Sequence, residues 1–405
     1  MAKIQRSKTV CLITIGHIAS DPRLVKEGIA LSKAGFKVHI VFTQYVSYLV
    51  EHDRRILNDN PEWTYQTLNW TGDSLQSKIN RLSSKLISLF SAKKELALNR
   101  NLFWQQKKAT NYKADLYIAH NLGALPVVVS ASKKNNTKCG FDAEDFHRHE
   151  VSDDVNDVNV KLKTAIENRY IPQADYITAS SPQIADKYAS LFDRRITTVL
   201  NVFPKINSYN KITNDNATLK LFWFSQTIGT NRGIETAIEG IRISGIKAEL
   251  HLLGYLGDDY MQHLHNLTTD LNHLCTIYFH APVYADELFG IAAQFDIGLA
   301  TEPYQPLNRN ICLTNKLFTY IQCGLAVIAS NTIAQKAFLS HYSDAGKLYS
   351  NADEFAYILT EYNTNRKLLH TTKQNNFKLG QTTLNWENES KKFIKNIYKV
   401  LDLTV

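Results

Sequence analysis

Residues 296–331 constrain the fold more than any other stretch of this 405-residue chain. They contain a short apolar run at 296–300 and a second run, rich in Val and Ile, at 325–329. Apolar residues between the two runs recur at helical spacing, namely Leu313, Leu317, Tyr320 and Ile321. Gly324 stands where a helix ends. Two buried strands joined by a helix predict a βαβ unit of a parallel sheet.

The start of this predicted helix has the properties of an anion site. Asn315, Thr319 and Gln322 form its polar face, with Lys316 alongside. A helix that begins at the carboxyl end of a parallel strand presents unpaired N–H groups and the positive end of its dipole. Lys316 in the first turn adds a mobile positive charge. The stretch therefore predicts a site that suits a diphosphate.

Strand and helix signals alternate along both halves of the chain. The predicted strands lie at 9–16, 36–43, 114–120, 137–147, 174–180, 196–202, 219–224, 248–253, 276–280, 296–300, 325–329 and 347–349. We predict an α/β protein of two doubly wound, Rossmann-like parallel-sheet domains that face each other across a cleft. The expected parts are an N-terminal domain at 1–204, a linker at 205–218, a C-terminal domain at 219–385 and a C-terminal helix at 386–405.

Composition narrows the class of partner. Hydrophobic residues make up 44% of the chain and charged residues 21%, as in globular proteins. The net charge of +8 favours an anionic partner, which can be a nucleotide, a membrane surface or a nucleic acid. The five cysteines are scattered and form no C-x-x-C pair, which predicts a reducing compartment without disulfides or zinc. The short apolar run at 9–15 reads as a strand, so we expect a cytoplasmic protein.

The segment 74–113 carries nine Lys and Arg residues against one acid, Glu95. Its apolar stripe consists of Ile79, Leu82, Leu86 and Leu89, and Lys78, Arg81 and Lys85 run beside it. This pattern fits peripheral contact with an anionic membrane on its inner face, and it fits the solvated face of an ordinary helix equally well. The segment lacks interleaved stacking aromatics, so we expect no nucleic-acid binding.

Residues 222–233 predict a strand, a Gly-containing loop and a helix start. Backbone N–H groups of the loop and the fork of Arg232 would grip a diphosphate together with Lys316. Two such cations would do the work that a metal does elsewhere. Polar residues after the strand at 296–300 would bind sugar hydroxyls, unless they are simply a polar loop: Glu302, Asn308, Arg309 and Asn310.

The strand predicted at 137–147 ends in acids and a histidine. Asp142, Glu144, Asp145 and His147 offer a general base if burial raises the pKa of a carboxylate toward neutrality. Carboxylates that cap a helix start are the alternative. A metal-binding motif of the D-x-D type at Asp142 and Glu144 is the weaker interpretation. We expect no metal site, since the histidines lack ligand spacing, and no cofactor. The chain has no P-loop and no G-x-G-x-x-G after the first strand, which argues against a kinase or a dehydrogenase.

Two motifs resemble the GT-B glycosyltransferases of the retaining family 4 type. NKLFTY at 315–320, followed by GLAVIAS at 324–330, is similar to the late NKLFEY and PVIAS patterns of that family. SDPRLVKEGIALSKAGFKVHIV at 20–41 looks like its opening strand, loop and helix. The resemblance implies a nucleotide-sugar site on the helix at 315, an acceptor against the first domain, His120 near the reacting sugar, and a last helix that crosses back to the first domain.

The chain departs from this family at four positions. Thr319 stands where the family often has a Glu that is implied to bind the ribose, and Ile311 stands in place of its partner Glu. Gln226 lies near the usual Arg, and Arg232-Gly233 replaces the usual Lys-Gly. The residue patterns and the resemblance together give the predicted donor site: Gln226, Arg232, Gly233, Glu302, Asn308, Asn310, Asn315, Lys316 and Thr319.

Taken together, the sequence predicts transfer of a sugar from a nucleotide diphosphate-sugar to a hydroxyl acceptor, without a metal. His120, Glu144 and Asp145 are the predicted catalytic residues. The resemblance implies retention, and the basic segment suggests a lipid-linked saccharide acceptor in surface or capsular polysaccharide assembly. Two alternatives stay open: a nucleotide-sugar epimerase of the same fold, and a nucleotide-binding scaffold without turnover.

Overall fold

The computed structural model describes residues 7–72, 94–206, 218–284 and 287–403. The chain forms two compact units, one of Met1–Leu200 with Ser390–Val405 and one of Asn201–Glu389. Most of the linker predicted at 205–218 lies outside the described residues. Each unit is built on its own parallel sheet, as the alternating strand and helix signals predict.

The first unit contains a seven-stranded parallel sheet of order β3-β2-β1-β4-β5-β6-β7. Its strands are β1 (Thr9–Ile13), β2 (Lys37–Gln44), β3 (Thr64–Asn69), β4 (Leu116–His120), β5 (Lys138–Ala143), β6 (Tyr176–Ala179) and β7 (Thr197–Thr198). Its helices before the C-terminal one are Pro22–Lys33, Leu49–Asp59, Glu95–Leu98, Leu102–Asn111, Leu125–Asn135, Val158–Tyr170 and Pro182–Phe192. The strand order reverses between β1 and β4, which pair directly. At such a point the loops diverge and leave room for a site.

The helix Pro22–Lys33 shows how local sequence positions the edge of this sheet. The Asp21 carboxylate accepts a hydrogen bond of 3.1 Å from the Leu24 N–H, and Pro22 occupies the first turn, as the sequence predicts. Gly35, with φ of 85°, follows the helix end. The helix therefore begins at the carboxyl end of β1 and presents its first two turns to the switch point.

The second unit contains a six-stranded parallel sheet of order β10-β9-β8-β11-β12-β13. Its strands are β8 (Leu219–Ile228), β9 (Ala248–Leu256), β10 (Cys275–His280), β11 (Ile297–Ala300), β12 (Ala326–Ser330) and β13 (Gly346–Tyr349). Its helices are Ile234–Ser244, Asp258–Thr268, Leu288–Ala292, Leu307–Ile311, Asn315–Cys323, Ile333–His341, Ala352–Thr364 and Arg366–Thr382. The strand order here reverses between β8 and β11.

Several predicted bounds are corrected by the structure. The strand expected at 137–147 ends at Ala143, and a 3-10 turn, His147–His149, follows it. The strand expected at 196–202 shrinks to Thr197–Thr198. β3 was not predicted, because five of its six residues are exposed and the edge strand lacks an apolar alternation.

The helix Asn315–Cys323 is buried on both faces from Lys316 onward. Its apolar face covers the sheet as predicted, whereas its polar face packs under the helix Arg366–Thr382. There the Gln322 amide donates to the Pro204 carbonyl at 2.7 Å and accepts from Gln381 at 3.1 Å. A Cβ at Gly380 would lie 2.2 Å from the Gln322 side-chain oxygen and 3.1 Å from the Gln322 Cα, so a larger residue there would displace the Gln322 side chain.

The last helix, Trp386–Val400, begins in the second unit and continues into the first. In the first unit, the Tyr398 ring packs 5.7 Å from the Phe36 ring. All five cysteines are buried and free. Within the described ranges, every helix is too short or too polar to cross a lipid bilayer.

Candidate functional site

The switch point of the second unit brings together the predicted donor residues after β8 and β11. Glu302 lies just past the end of β11 and is buried. Its carboxylate accepts a hydrogen bond of 2.7 Å from Lys316 Nζ, which is also buried, and lies 3.8 Å from Arg309 Nη1. Burial alone would raise the pKa of Glu302, but Lys316 and Arg309 outweigh it and hold that pKa below its usual value. Glu302 is therefore ionised.

Arg232 lies in the loop after β8 and is half-buried. Burial and the nearby Arg309 lower the pKa of Arg232, and Glu302 opposes that shift. Arg232 and Lys316 therefore converge on the surroundings of one carboxylate. We refer to Arg232, Arg309 and Lys316 as the cation cluster.

Gly233 allows this loop to pass close to the sheet. Its φ is 76°, and a Cβ there would lie 2.7 Å from the Thr301 Cβ. The Thr301 hydroxyl donates to the Arg232 carbonyl at 2.5 Å and accepts from the Trp223 indole at 3.1 Å. The Lys316 ammonium lies 5.4 Å from the centre of the Trp223 ring, a cation–π distance. The cation cluster is thus held by a buried strand on one side and by Glu302 on the other.

The remaining predicted donor residues of the second unit lie in different environments. Asn308 is buried in the helix Leu307–Ile311, and the Asn310 side-chain oxygen accepts a hydrogen bond of 2.8 Å from the Ile333 N–H. Asn315 is exposed at the first position of its helix, and Gln226 is exposed on β8. Thr319 is fully buried, and its hydroxyl has no hydrogen-bond partner among the described residues.

The switch point of the first unit holds a group of buried charges that we call the buried charge cluster, formed by Arg23, Glu27, His120 and Asp142. Arg23 binds Asp142 through two nitrogens, Nε and Nη2, the second at 2.8 Å, and donates to the Val199 carbonyl at 2.8 Å. Asp142 also accepts from Thr178 Oγ1 at 2.6 Å. Burial opposes ionisation, but Arg23 dominates and keeps the pKa of Asp142 below its usual value.

His120 and Glu27 complete this cluster. His120 Nε2 lies 3.5 Å from Glu27 Oε2, and His120 Nδ1 lies 3.6 Å from Asp142 Oδ2. His120 is 1% exposed, so its ring lies among these charges rather than at the protein surface. Burial lowers the pKa of His120. Burial and the nearby Asp142 raise the pKa of Glu27 well above its usual value. The predicted catalytic histidine therefore has two carboxyl groups as neighbours.

The predicted acids and the histidine after β5 lie in different surroundings. Glu144 and Asp145 are half-buried in the following loop. Burial and Asp21 raise the pKa of Glu144 well above its usual value, the direction that a neutral-pH base requires. His147 instead lies 3.3 Å from Glu150, whose carboxylate raises the pKa of His147 although burial opposes it.

Glu27, His120 and Asp142 form the one trio in the described ranges whose nitrogen and oxygen atoms, all within 4.8 Å of one another, have the spacing of a metal site. The Arg23 guanidinium already neutralises Asp142 and lies 3.7 Å from Glu27. A divalent ion here would sit beside a buried positive charge, which disfavours binding.

Arg23 and Glu27 were missed as site residues from the sequence. They lie four residues apart on the same helix, in line with Leu31, at positions that the apolar period assigns to the core. A charge at such a position is the signal that would have found them, because buried charges need partners. The apolar and basic stripes at 78–89 lie outside the described residues.

No protein-family model matches the sequence, and no curated protein sequence matches it closely. Solved structures do match. Sucrose-phosphate synthase from Thermosynechococcus elongatus superposes with a TM-score of 0.71 at 13% identity, over 98% of this chain and 99% of that one. Anabaena HepE in complex with UDP superposes with a TM-score of 0.67 at 14% identity, over 97% and 100%. The pneumococcal O-GlcNAc transferase GtfA, in complex with UDP and GlcNAc, gives 0.66 at 11%, over 98% and 99%.

The chain has the GT-B fold. This confirms the fold predicted from the two sequence motifs. Because the identities are low, the match shows the GT-B fold and leaves the chemistry to the residues of each switch point. In open α/β sheets, ligands bind outside the carboxyl ends of the strands at that point. The cation cluster and the buried charge cluster both occupy such a position in their own units.

Proposed function

We propose that this chain is a glycosyltransferase that moves a sugar from a nucleoside diphosphate-sugar to a hydroxyl acceptor. The observation that carries the proposal is the cation cluster at the switch point of a GT-B unit: Lys316 and Arg309 lie 2.7 Å and 3.8 Å from the Glu302 carboxylate, and Arg232 interacts electrostatically with the same group. Together with the ionised Glu302, the cation cluster has a surplus of two positive charges. A diphosphate supplies the missing negative charge.

The geometry supports a role in releasing the nucleoside diphosphate. Lys316 carries three N–H donors and gives one to Glu302, so two remain for phosphate oxygens. The N-terminus of the helix Asn315–Cys323 adds its unpaired N–H groups. These fixed donors would stabilise the charge that develops on the leaving diphosphate, in the role of a metal. Glu302, predicted to bind a sugar hydroxyl, serves better as the residue that orients Lys316.

Structures of the same fold support the class of donor. Anabaena HepE is known in complex with UDP and with UDP-glucose, and GtfA in complex with UDP and GlcNAc. A uridine diphosphate-sugar is therefore the first donor to test. We propose that the donor binds the second unit, that the acceptor binds the first, and that His120, Glu144 or Asp145 assists the acceptor proton.

We propose a saccharide acceptor, lipid-linked in surface or capsular polysaccharide assembly, with retention at the anomeric carbon and peripheral contact with an anionic membrane. The charge of the segment 74–113 supports the membrane contact. Sedimentation with vesicles of anionic or neutral lipid tests it. Salt-sensitive binding to the anionic vesicles alone is expected, and equal binding to both would contradict the electrostatic attraction.

The donor site is tested by thermal shift with UDP, GDP, CMP and their sugars. The same panel is repeated on Lys316→Ala, Arg232→Ala and, as a matched control, Lys336→Ala, an exposed lysine of the helix Ile333–His341. One nucleotide should stabilise the wild type and the control, and both site variants should respond less. Equal responses in all four proteins would place the donor elsewhere.

Turnover separates the proposal from its alternatives. A transferase releases nucleoside diphosphate and forms a glycoside only when a hydroxyl acceptor is present. An epimerase converts the sugar nucleotide without any acceptor. A scaffold binds the nucleotide and gives no product under either condition, and that result would exclude the proposed transfer.

A further inference from the structure

The buried charge cluster contains polar atoms that the fold leaves without hydrogen bonds. Both carboxyl oxygens of Glu27 and both ring nitrogens of His120 lack a hydrogen-bond partner among the described residues. Glu27 is 0% exposed and His120 1%. Buried polar groups in folded proteins are almost always hydrogen-bonded. Two of these four atoms, Glu27 Oε2 and His120 Nε2, face each other at 3.5 Å and point to an interaction that protonation completes.

The charges on the other two members of the cluster are determined by their contacts. Arg23 and Asp142 form a two-nitrogen ion pair, and Thr178 adds a third hydrogen bond to the carboxylate. This pair is neutral as a whole. Glu27, four residues after Arg23, shares that guanidinium only at 3.7 Å, beyond hydrogen-bond distance, because the Arg23 nitrogens already donate to Asp142 and Val199. A second ionised carboxylate in the same buried space is strongly unfavourable.

The orientation of the imidazole fixes where protons belong. Nδ1 lies 3.6 Å from the ionised Asp142, so Nδ1 is the nitrogen that carries a hydrogen. Nε2 lies 3.5 Å from Glu27 Oε2, and in this tautomer it presents a lone pair. A protonated Glu27 can donate to that lone pair after a small approach of the two side chains. One proton on Glu27 therefore gives Oε2 and Nε2 a shared hydrogen bond.

We propose that Glu27 holds a proton against His120 Nε2 and exchanges it with that nitrogen, which makes Glu27 a positioning residue for His120. When the proton moves, the O–H bond of Glu27 breaks and an N–H bond forms at Nε2. A neutral acid and a neutral imidazole become a carboxylate and an imidazolium, so the net charge is unchanged and no further reactant is needed. The link to catalysis rests on the proposed function.

The surroundings favour the neutral pair at rest. Burial and Asp142 raise the pKa of Glu27, and burial lowers the pKa of His120. The charged groups that act on this pair are Asp21 and Lys26 of the first helix and its cap, Arg23 beside them, Asp142 of β5 and Glu144 after it. A negative charge arriving near His120 would draw the proton from Glu27 to the imidazole.

Spectroscopy on the full chain tests the resting state without reference to activity. The infrared difference spectrum of wild type minus Glu27→Gln at neutral pH should show the carbonyl band of one protonated carboxyl group. Glu239→Gln, an exposed acid, should keep it. Nitrogen NMR should show His120 as the neutral Nδ1–H tautomer. A band unchanged in Glu27→Gln, or an imidazolium in the wild type, would overturn the proposal.

Two further measurements cover the alternatives. If Glu27→Gln does not fold, His120→Asn replaces it: the carboxyl band should then persist and shift, and an unshifted band would show that the two residues do not interact. Metal analysis after addition of zinc and dialysis should find no bound ion. If the wild type binds one zinc per chain and Glu27→Gln binds none, a metal rather than a proton joins the two residues, and the proposal is overturned.

The catalytic role has its own readout. Glu27→Gln should lower kcat by about 10²-fold with little change in KM and remove one limb of its pH profile, and Glu27→Asp should restore part of the rate. An unchanged profile in an active Glu27→Gln would contradict the positioning role. Absence of transfer by the wild type would count against the proposed function, while the infrared result still decides where the proton lies.

Discussion

The two switch points place charge in opposite ways. In the first unit, two carboxyl groups face one guanidinium and an imidazole, and all four side chains are buried. In the second unit, three cations act on one carboxylate, and Arg232 and Arg309 remain partly accessible. The same strand topology therefore supports two kinds of chemistry. A buried group with an excess of carboxyl groups retains protons, whereas a partly accessible group with an excess of positive charge attracts an anion.

The largest expected effect tests whether the buried charge cluster is shielded from water. Arg23→Met should lower the free energy of unfolding by about 3–5 kcal/mol, because it leaves Asp142 buried without its counter-ion. Urea unfolding measures it. The control is Arg54→Met, which breaks an exposed pair with Glu51 and should cost less than about 1 kcal/mol. Similar losses in the two variants would contradict a sealed cluster.

The second prediction tests whether the second group attracts an anion. Lys316→Met should weaken UDP binding by about 10- to 100-fold, since a hydrogen bond to a charged group contributes about 1.5–3 kcal/mol. Isothermal titration measures it, with Lys336→Met as the surface control. Adding Glu302→Gln to Lys316→Met removes the unpaired carboxylate and should recover stability without recovering affinity. Recovery of affinity would mean that Lys316 acts only by neutralising Glu302.

The third prediction separates the two clusters by the sign of their pH dependence. The pKa of Glu27 is raised, so the folded state binds its proton more tightly and stability falls as pH rises above the ordinary carboxyl pKa. The pKa of Glu302 is lowered, so its contribution is present above that pKa and disappears as pH falls through the lower folded value. Urea unfolding at a series of pH values tests both signs. Glu27→Gln should reduce the loss of stability as pH rises above the ordinary carboxyl pKa, and Glu302→Gln should reduce the loss of stability as pH falls below it. Slopes of the same sign would contradict the comparison.

The smallest expected effect concerns Thr319. Its buried hydroxyl has no partner in the part of the chain that the structure describes, so Thr319→Val should leave stability unchanged. If the hydroxyl binds the donor, UDP affinity should fall about 2- to 10-fold, the weight of one neutral hydrogen bond. Thr364→Val, on an exposed helix end, is the control. An unchanged affinity would place Thr319 outside the donor site.

The sequence predicted the site residues of the second unit better than those of the first. Lys316 and Arg232 were predicted as partners because each follows a strand at a helix start, and parallel strands bring such positions to one edge of the sheet. Arg309 was named only as a loop residue, and its contact with Glu302 depends on how the helix Leu307–Ile311 folds back. Asn310 was predicted to bind the donor, a role still untested, and its side chain accepts from the start of the next helix.

By itself, the sequence determined the strand and helix order, the end of the helix at Gly324 and the presence of cations after β8 and β11, because these depend on local periodicity and on residues near one another in the chain. Only the tertiary structure decided that Glu27, His120 and Asp142 share one buried space. Asp142 and Arg23 are 119 residues apart, and a charged side chain at a core position is stable only where a distant partner is delivered to it. The position of that distant partner depends on the strand order, which no local pattern in the sequence encodes.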